Sequence, residues 1–292
     1  MSYRAIVSAF DVAYDDLLGR WGVPVEQLEV RGEFGTTHVN ACGPLDGPPV
    51  VLLAGHGATS AVWFTVAPRL AATHRVYAVD LLGDAGRSVI DSGSGTASGS
   101  GRGGAPPRSV VELMSWLTGV LDGLGLDRVT VCGHSYGAWI GLTYALASPE
   151  RVDRIALIDP TDCFLGLRAG YVARALPMLL RPSVRRFEAF LRWEVGGVQV
   201  EPAWIRLAAL GTLEDTARPV RPRRPTADAL RGLQADLQVV VAGRTRAHDP
   251  RKLADAAAEY GADVVWIDDA THHSLPAAHT DELLPVLLKH LG

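Results

Sequence analysis

Short apolar runs alternate along the chain with stretches whose apolar residues recur at helical spacing, the pattern of a mostly parallel sheet covered by helices. The runs predict eight strands, over 28–33, 37–42, 50–54, 76–80, 129–132, 155–159, 237–242 and 263–267. The first two lie close enough to form a hairpin. The clearest helix is 109–124, where Ser109 and Glu112 make a capping-box pattern and Val110, Leu113, Leu117, Val120 and Leu124 keep one face apolar. A further helix over 6–21 precedes the first strand.

Two regions break the alternation. Residues 91–108 are rich in glycine and serine and have almost nothing apolar to bury, which predicts a mobile surface loop. From about 164 to 234 no strand pattern is found, and aromatic and leucine clusters are separated by prolines, the pattern of an inserted helical cap. The expected organisation is α/β: an N-terminal helical extension (1–25), a core (26–162 and 235–292) and a helical cap (163–234).

Composition narrows the setting. With 292 residues, 48% hydrophobic and 21% charged, the chain can bury one large core, and a formal charge of −4 gives no field to attract nucleic acid or an anionic membrane. Cys42, Cys132 and Cys163 lack the spacing of a zinc site or disulfide framework, so reduced thiols and no metal are expected. Asp11, Asp15 and Asp16 interrupt any apolar stretch near the start, so a cytoplasmic location is expected.

The chemistry concentrates after the fifth strand. Gly133-His134-Ser135-Tyr136-Gly137 stands between a strand pattern and a helix pattern. In G-x-S-x-G the turn is so tight that side chains at the glycine positions would strike neighbouring backbone, and the serine hydroxyl is left exposed as a nucleophile. The helix start puts N–H groups where an oxyanion would develop, with Tyr136 N–H as one donor. A second glycine-rich turn, Gly55-His56-Gly57-Ala58, follows the third strand and offers Ala58 N–H as the other donor. Gly57, Trp63, His134 and Phe164 are the candidate substrate-binding residues.

These residues carry a resemblance. Val51-Leu-Leu-Ala-Gly-His-Gly57, Trp63, Val76-Tyr-Ala-Val-Asp80-Leu-Leu-Gly83-Asp84-Ala-Gly86-Arg87-Ser88 and Gly133-His-Ser-Tyr-Gly137 look like the α/β-hydrolase family, and resemble its bacterial serine esterases with a helical cap. The similarity runs from about residue 21 to the C-terminus, outside the glycine-rich loop and the cap. Many members carry D-x-x-G-H-G-x-S after the fourth strand, where this chain has Asp84-Ala-Gly86 in place of the His-Gly part.

The family places its triad in the order serine, acid, histidine, with the histidine on the loop after the last strand. That loop holds His272 and His273, and the spacing of His273 to the closing helix makes it the preferred base, with His272 as the alternative. The usual acid position, three residues after Gly243, holds Arg246. Asp159, ending the sixth strand, is the preferred carboxylate. Asp249 and Asp162 are alternatives, as is a dyad without an acid.

Serine, histidine and oxyanion donors together imply acyl transfer through an acyl-enzyme, on an ester, lactone or thioester of a small, largely apolar molecule. No cofactor is required. Two other readings remain open: a carbon–carbon bond hydrolase or cyclase using the same groups, and a non-enzymatic ligand receptor, which Arg246 at the acid position would suit.

Overall fold

The computed structural model describes residues 8–90, 105–214 and 216–292. Most of the expected surface loop (residues 91–104) and residues 6 and 7 of the expected first helix lie outside the described residues.

Eight strands form one sheet: β1 (Glu26–Gly32), β2 (Gly35–Cys42), β3 (Pro49–Leu53), β4 (Arg75–Val79), β5 (Val129–His134), β6 (Val152–Ile158), β7 (Asp236–Ala242) and β8 (Asp263–Ile267), in the order β1-β2-β4-β3-β5-β6-β7-β8. The β1–β2 pair is an antiparallel hairpin and β2 also runs antiparallel to β4, whereas every pairing from β4 to β8 is parallel. Strand β6 begins at Val152, ahead of the expected 155, because Arg154 is drawn into register between Thr130 and Asp236 although its side chain is polar.

The parallel strands read as continuous apolar runs because both faces are covered. Val50, Leu52, Val76, Ala78 and Val240 pack on one side, with α1 (Ala9–Leu18), α2 (Ala67–Leu70) and α10 (Thr280–Leu291). Val51, Leu53, Tyr77, Val79 and Val241 pack on the other, with α3 (Val110–Gly123), α4 (Tyr136–Ala147) and α9 (Pro250–Ala258). Successive residues of one strand thus enter opposite cores, the period-two rule of a pleated sheet. Helix α3 begins as its sequence requires, with Ser109 Oγ accepting from Glu112 N–H at 3.2 Å.

Between β6 and β7 the chain passes through α5 (Ala169–Leu180), α6 (Val184–Val195), α7 (Pro202–Gly211) and the short α8 (Ala227–Arg231). Helix α6 packs on α5 and α7, and α7 packs on α1. Helix α1 buries Phe10, Ala13, Tyr14, Leu17 and Leu18, the single face that helical spacing gives them.

One buried polar network ties α1 to the sheet. Asn40 Nδ2 donates to Tyr14 Oη at 2.7 Å and to Ser60 Oγ at 2.8 Å, while Tyr14 Oη–H donates to Asp80 Oδ2 at 3.0 Å. Asp80 also accepts from the backbone of Ser60 (2.6 Å) and Arg87 (2.7 Å). The network holds the loops after β3 and β4 beside each other, at the end of the sheet where all the parallel strands finish. Tyr14→Phe removes the hydroxyl at its centre and leaves buried partners unsatisfied, which costs about 1–3 kcal/mol. Urea unfolding should show that loss, and an unchanged midpoint would mean that the network contributes nothing net.

Candidate active site

The β5–α4 turn has the geometry its glycines demand. Ser135 sits at φ 54°, ψ −115°, a backbone conformation that costs ~1–3 kcal/mol and persists only where its surroundings enforce it. A Cβ on Gly137 would run into the carbonyl oxygens of Leu53 and Ala54, and one on Gly133 would lie 2.5 Å from Gly137 O. Both glycines therefore allow the helix to start directly against β3. The turn leaves Ser135 half-buried at the rim of a cavity.

Ser135 Oγ lies 2.8 Å from His272 Nε2, and His272 Nδ1 lies 2.6 Å from Asp159 Oδ2. An ionised carboxylate only accepts, so Nδ1 carries the ring proton and Nε2 faces the hydroxyl as an acceptor. Burial opposes charge on this ring, but the Asp159 hydrogen bond and charge outweigh it, with Glu194 adding to them, and the pKa of His272 stands above the ordinary histidine value. Three elements bring these side chains together: the elbow after β5, the end of β6, and the loop after β8.

Asp159 is fully buried at φ 39°. Besides His272 it accepts from Thr245 Oγ1 (2.9 Å), His248 Nε2 (3.1 Å) and Ala242 N (3.2 Å). Burial alone would raise its pKa, and the charge and hydrogen bonds of His248 and His272 reverse that, so the group stays ionised far below the usual range. The loop after β7, which holds Arg246 at the family's usual acid position, instead supplies donors to the carboxylate at the end of β6. Arg246 turns away from this cluster, its guanidinium 4.8 Å from the ring centre of Trp193.

The preferred base of the sequence reading, His273, is displaced from the role by this geometry. Its Nδ1 lies 3.3 Å from Tyr171 Oη and 3.6 Å from Glu194 Oε2, and His272 alone of the pair meets Ser135. Neighbouring residues of an irregular loop point to opposite sides, and spacing to α10 does not fix which one turns inward. Burial, reinforced by the nearby His272 and His134 rings, holds the His273 pKa well below the ordinary value.

The alternative acids are engaged elsewhere. Asp249 caps α9, accepting from Arg251 N (3.2 Å) and Lys252 N (3.3 Å), and pairs with Arg168 at 3.1 Å. Asp162 stands in a left-handed turn closed by its own N–H to Leu165 O at 2.8 Å.

Tyr136 is the first residue of α4, directly after Ser135, so its N–H has no intrahelical acceptor. Its phenol is anchored elsewhere, donating to Val220 O at 2.9 Å. Ala58 N–H, the other expected donor, differs from expectation: it closes a tight turn onto Gly55 O at 3.1 Å, with Gly57 at φ 76°. Asp84 pins that turn from behind, accepting from Gly57 N at 3.0 Å and from the His56 Nδ1–H at 2.8 Å. Burial would lower the His56 pKa, but Asp84 more than offsets it, so the ring holds its proton above the ordinary histidine range.

A cavity opens on these groups. Its polar lining comes from Ser135, His134, His272, His273 and the Gly55–Ala58 turn, and its apolar lining includes Val62, Phe187, Trp204 and Leu275. Gly57 and His134 are in the lining of this cavity, and His134 also braces the loop after β8, donating from Nε2 to His272 O at 2.8 Å. Its pKa is pushed down to about 3 by burial and by the His272 charge, so it stays neutral. Trp63 and Phe164 are not in the lining. Trp63 follows the turn into the core beneath α1, fully buried, and Phe164 stacks on Tyr260 with ring centres 6.3 Å apart. Both are large apolar side chains at positions where the fold needs filling.

Sequence reasoning missed Thr245, His248 and Glu194, whereas Phe187 and Trp204 belong to the aromatic clusters of the expected cap. Of the missed residues Glu194 left a readable sign, as an acidic residue in phase with the buried Phe187, Phe190 and Leu191 of α6.

The profile of the alpha/beta hydrolase family matches residues 50–286. The uncharacterized carboxylesterase nap of Bacillus subtilis (strain 168) is 27% identical over 259 residues, 86% of this chain and 81% of its own length. Carboxylesterase YbfK of the same organism is 28% identical over 226 residues, 76% of this chain and 71% of its own. Among solved structures, naproxen esterase from Bacillus subtilis aligns with a TM-score of 0.85 at 24% identity, covering 100% of this chain and 99% of that one.

The two carboxylates separate by mutation. Asp159→Asn should lower kcat toward an ester substrate by ~100-fold or more, because an amide stabilises neither the ring tautomer nor the imidazolium. Asp249→Asn should stay within about twofold, as expected of a surface position away from the chemistry. Steady-state kinetics on the two variants decides the matter, and the reverse ranking would move the acid to α9.

Proposed function

The chain belongs to the alpha/beta hydrolase family, and from that premise we propose that it is a serine carboxylic-ester hydrolase with Ser135 as nucleophile, His272 as general base and Asp159 as the acid that orients it. The observation that carries the proposal is the chain of hydrogen bonds from Ser135 Oγ through His272 to Asp159, at 2.8 and 2.6 Å. The relatives named carboxylesterases support the ester as the bond that is cut.

The reaction follows from the geometry. Ser135 Oγ attacks the ester carbonyl carbon as its proton passes to His272 Nε2, and Asp159 stabilises the imidazolium so formed. The negative charge on the former carbonyl oxygen is met by Tyr136 N–H and by the positive end of α4. Collapse of the intermediate breaks the bond to the alkoxy group, which takes the proton from His272 and leaves as an alcohol. Water, deprotonated by the same ring, then attacks the acyl-serine; the acid is released and Ser135 regains its proton.

Substrate class follows from the lining. Val62, Phe187, Trp204, Ala208, Leu275 and Pro276 give the cavity that holds the hydroxyl an apolar lining, which suits a small, neutral, largely apolar acyl or alkyl group. Helices α5 to α7 act as the cap over this cavity, within a cap region of 163–234. The receptor reading loses its support, since the feature in its favour was Arg246 at the usual acid position and Asp159 now stands beside the base. A cytoplasmic location belongs to the proposal and is supported by three cysteines that are all free and buried. Among the described residues no helix is long and apolar enough to cross a membrane.

A fluorophosphonate probe should label the protein rapidly and stoichiometrically, with labelling abolished in Ser135→Ala; an unlabelled wild-type protein would remove the hydrolase reading. His272→Ala should lower the hydrolysis of a nitrophenyl acyl ester by at least ~1,000-fold, the scale of losing a triad member, while His273→Ala should cost about tenfold or less. Absorbance assays of the two variants distinguish the histidines, and equal losses would return the choice to both.

A further inference from the structure

Glu194 stands out as a buried carboxylate that the reaction as written does not use. It lies on α6, on the same face as the cavity-lining Phe187 two turns earlier, and is fully buried. Its Oε2 accepts from Thr271 Oγ1 at 3.0 Å and from His273 N at 3.0 Å, the residues immediately before and after His272. Its Oε1 has no hydrogen-bond partner among the described residues. Oε2, facing two donors, acts as an acceptor, so any proton on this carboxyl group would sit on Oε1.

We propose that Glu194 is a positioning residue for the base: it clamps the loop on both sides of His272 and places a second negative charge, beyond Asp159, behind the ring. The proposal rests on the assignment of His272 as the base. Two consequences follow. Helix α6 joins the wall that a substrate touches, through Phe187, to the loop that carries the base, so correct filling of the cavity and correct placement of His272 are coupled through one rigid element. The charge also favours the imidazolium, which stabilises the transition state and raises the pH at which His272 gives up its proton at rest.

Other charged and titratable groups surround this position. His272 and His273 face it from the loop after β8, Asp159 from the end of β6, and Tyr171 from α5. Behind them, His248 meets Asp159, His134 meets the His272 carbonyl, and Arg246 and Arg174 lie over Trp193 on α6 itself. Burial raises the Glu194 pKa and the Asp159 charge adds to it; the His272 charge and the His273 and Thr271 hydrogen bonds offset this only in part, so the pKa stands above the ordinary carboxylate value.

The sign of the effect on activity is therefore defined. The base works only when neutral, so kcat/KM rises with pH through the His272 pKa. Glu194→Gln keeps an oxygen to accept from Thr271 and His273, removes the charge and places an amide NH2 where Oε1 stood. Its acid limb should move to lower pH by about half a unit or more while kcat on the plateau falls several-fold and KM changes little. Glu194→Asp keeps the charge on a shorter stem and should retain the wild-type limb while kcat falls. Both are measured with a nitrophenyl acyl ester across pH, beside fluorophosphonate labelling of the wild-type protein. Labelling that fails in the wild type sinks the hydrolase reading. With labelling intact, a wild-type limb and kcat in Glu194→Gln, or a limb displaced equally in Glu194→Gln and Glu194→Asp, overturns the role assigned to Glu194. Should Glu194→Gln not fold, the limb of Glu194→Asp decides alone, and displacement to lower pH overturns the proposal.

Discussion

Asp159 is a carboxylate taken wholly out of water at the end of a central strand, and the site is arranged around keeping it charged. An isolated buried carboxylate would cost several kcal/mol and would take up a proton. Here the backbone of Ala242, the hydroxyl of Thr245 and the rings of His248 and His272 all point at it. Because β6 and β7 are paired in parallel register, their carboxyl ends lie side by side, and the loop after β7 reaches Asp159 without a long excursion. The His272 ring is then held in one tautomer by an acceptor that does not turn into a donor. The hydroxyl of Ser135 inherits its direction from that ring.

The elbow and the donor turn are subordinate to the same packing. Gly137 lets α4 start against the backbone of β3, which sets Ser135 beside the Gly55–Ala58 turn. Asp84 fixes the turn through Gly57 and His56. Asp80, four residues earlier, anchors the same loops to α1 through Tyr14. Two aspartates at the end of β4 thus do opposite jobs: one ties down the scaffold, the other the turn that faces the substrate.

The sheet was legible from periodicity because its strands are buried on both faces, and a run such as Val50–Leu53 has no other use. The serine was legible because the elbow imposes glycines on the sequence itself. The acid was readable as a preference once the family's usual position was seen to hold Arg246, and the donors around Asp159 come from residues far apart in the chain. The choice between His272 and His273 lay beyond the sequence, since it depends on the direction of one side chain in a loop, which follows from the carbonyl held by His134 and the clamp of Glu194. Trp63 and Phe164 misled for the opposite reason: a large apolar residue next to a functional loop is more often packing than lining.

One histidine, His272, bridges Ser135 and Asp159 through its two ring nitrogens. A ring proton held in a short bond between an imidazole and a buried carboxylate resonates far downfield in the proton NMR spectrum, which reports the contact without any assumption about substrate. Such a resonance is expected in the native protein, absent from both His272→Gln and Asp159→Asn, and retained in His273→Gln. A resonance that survives in His272→Gln and disappears in His273→Gln would contradict it.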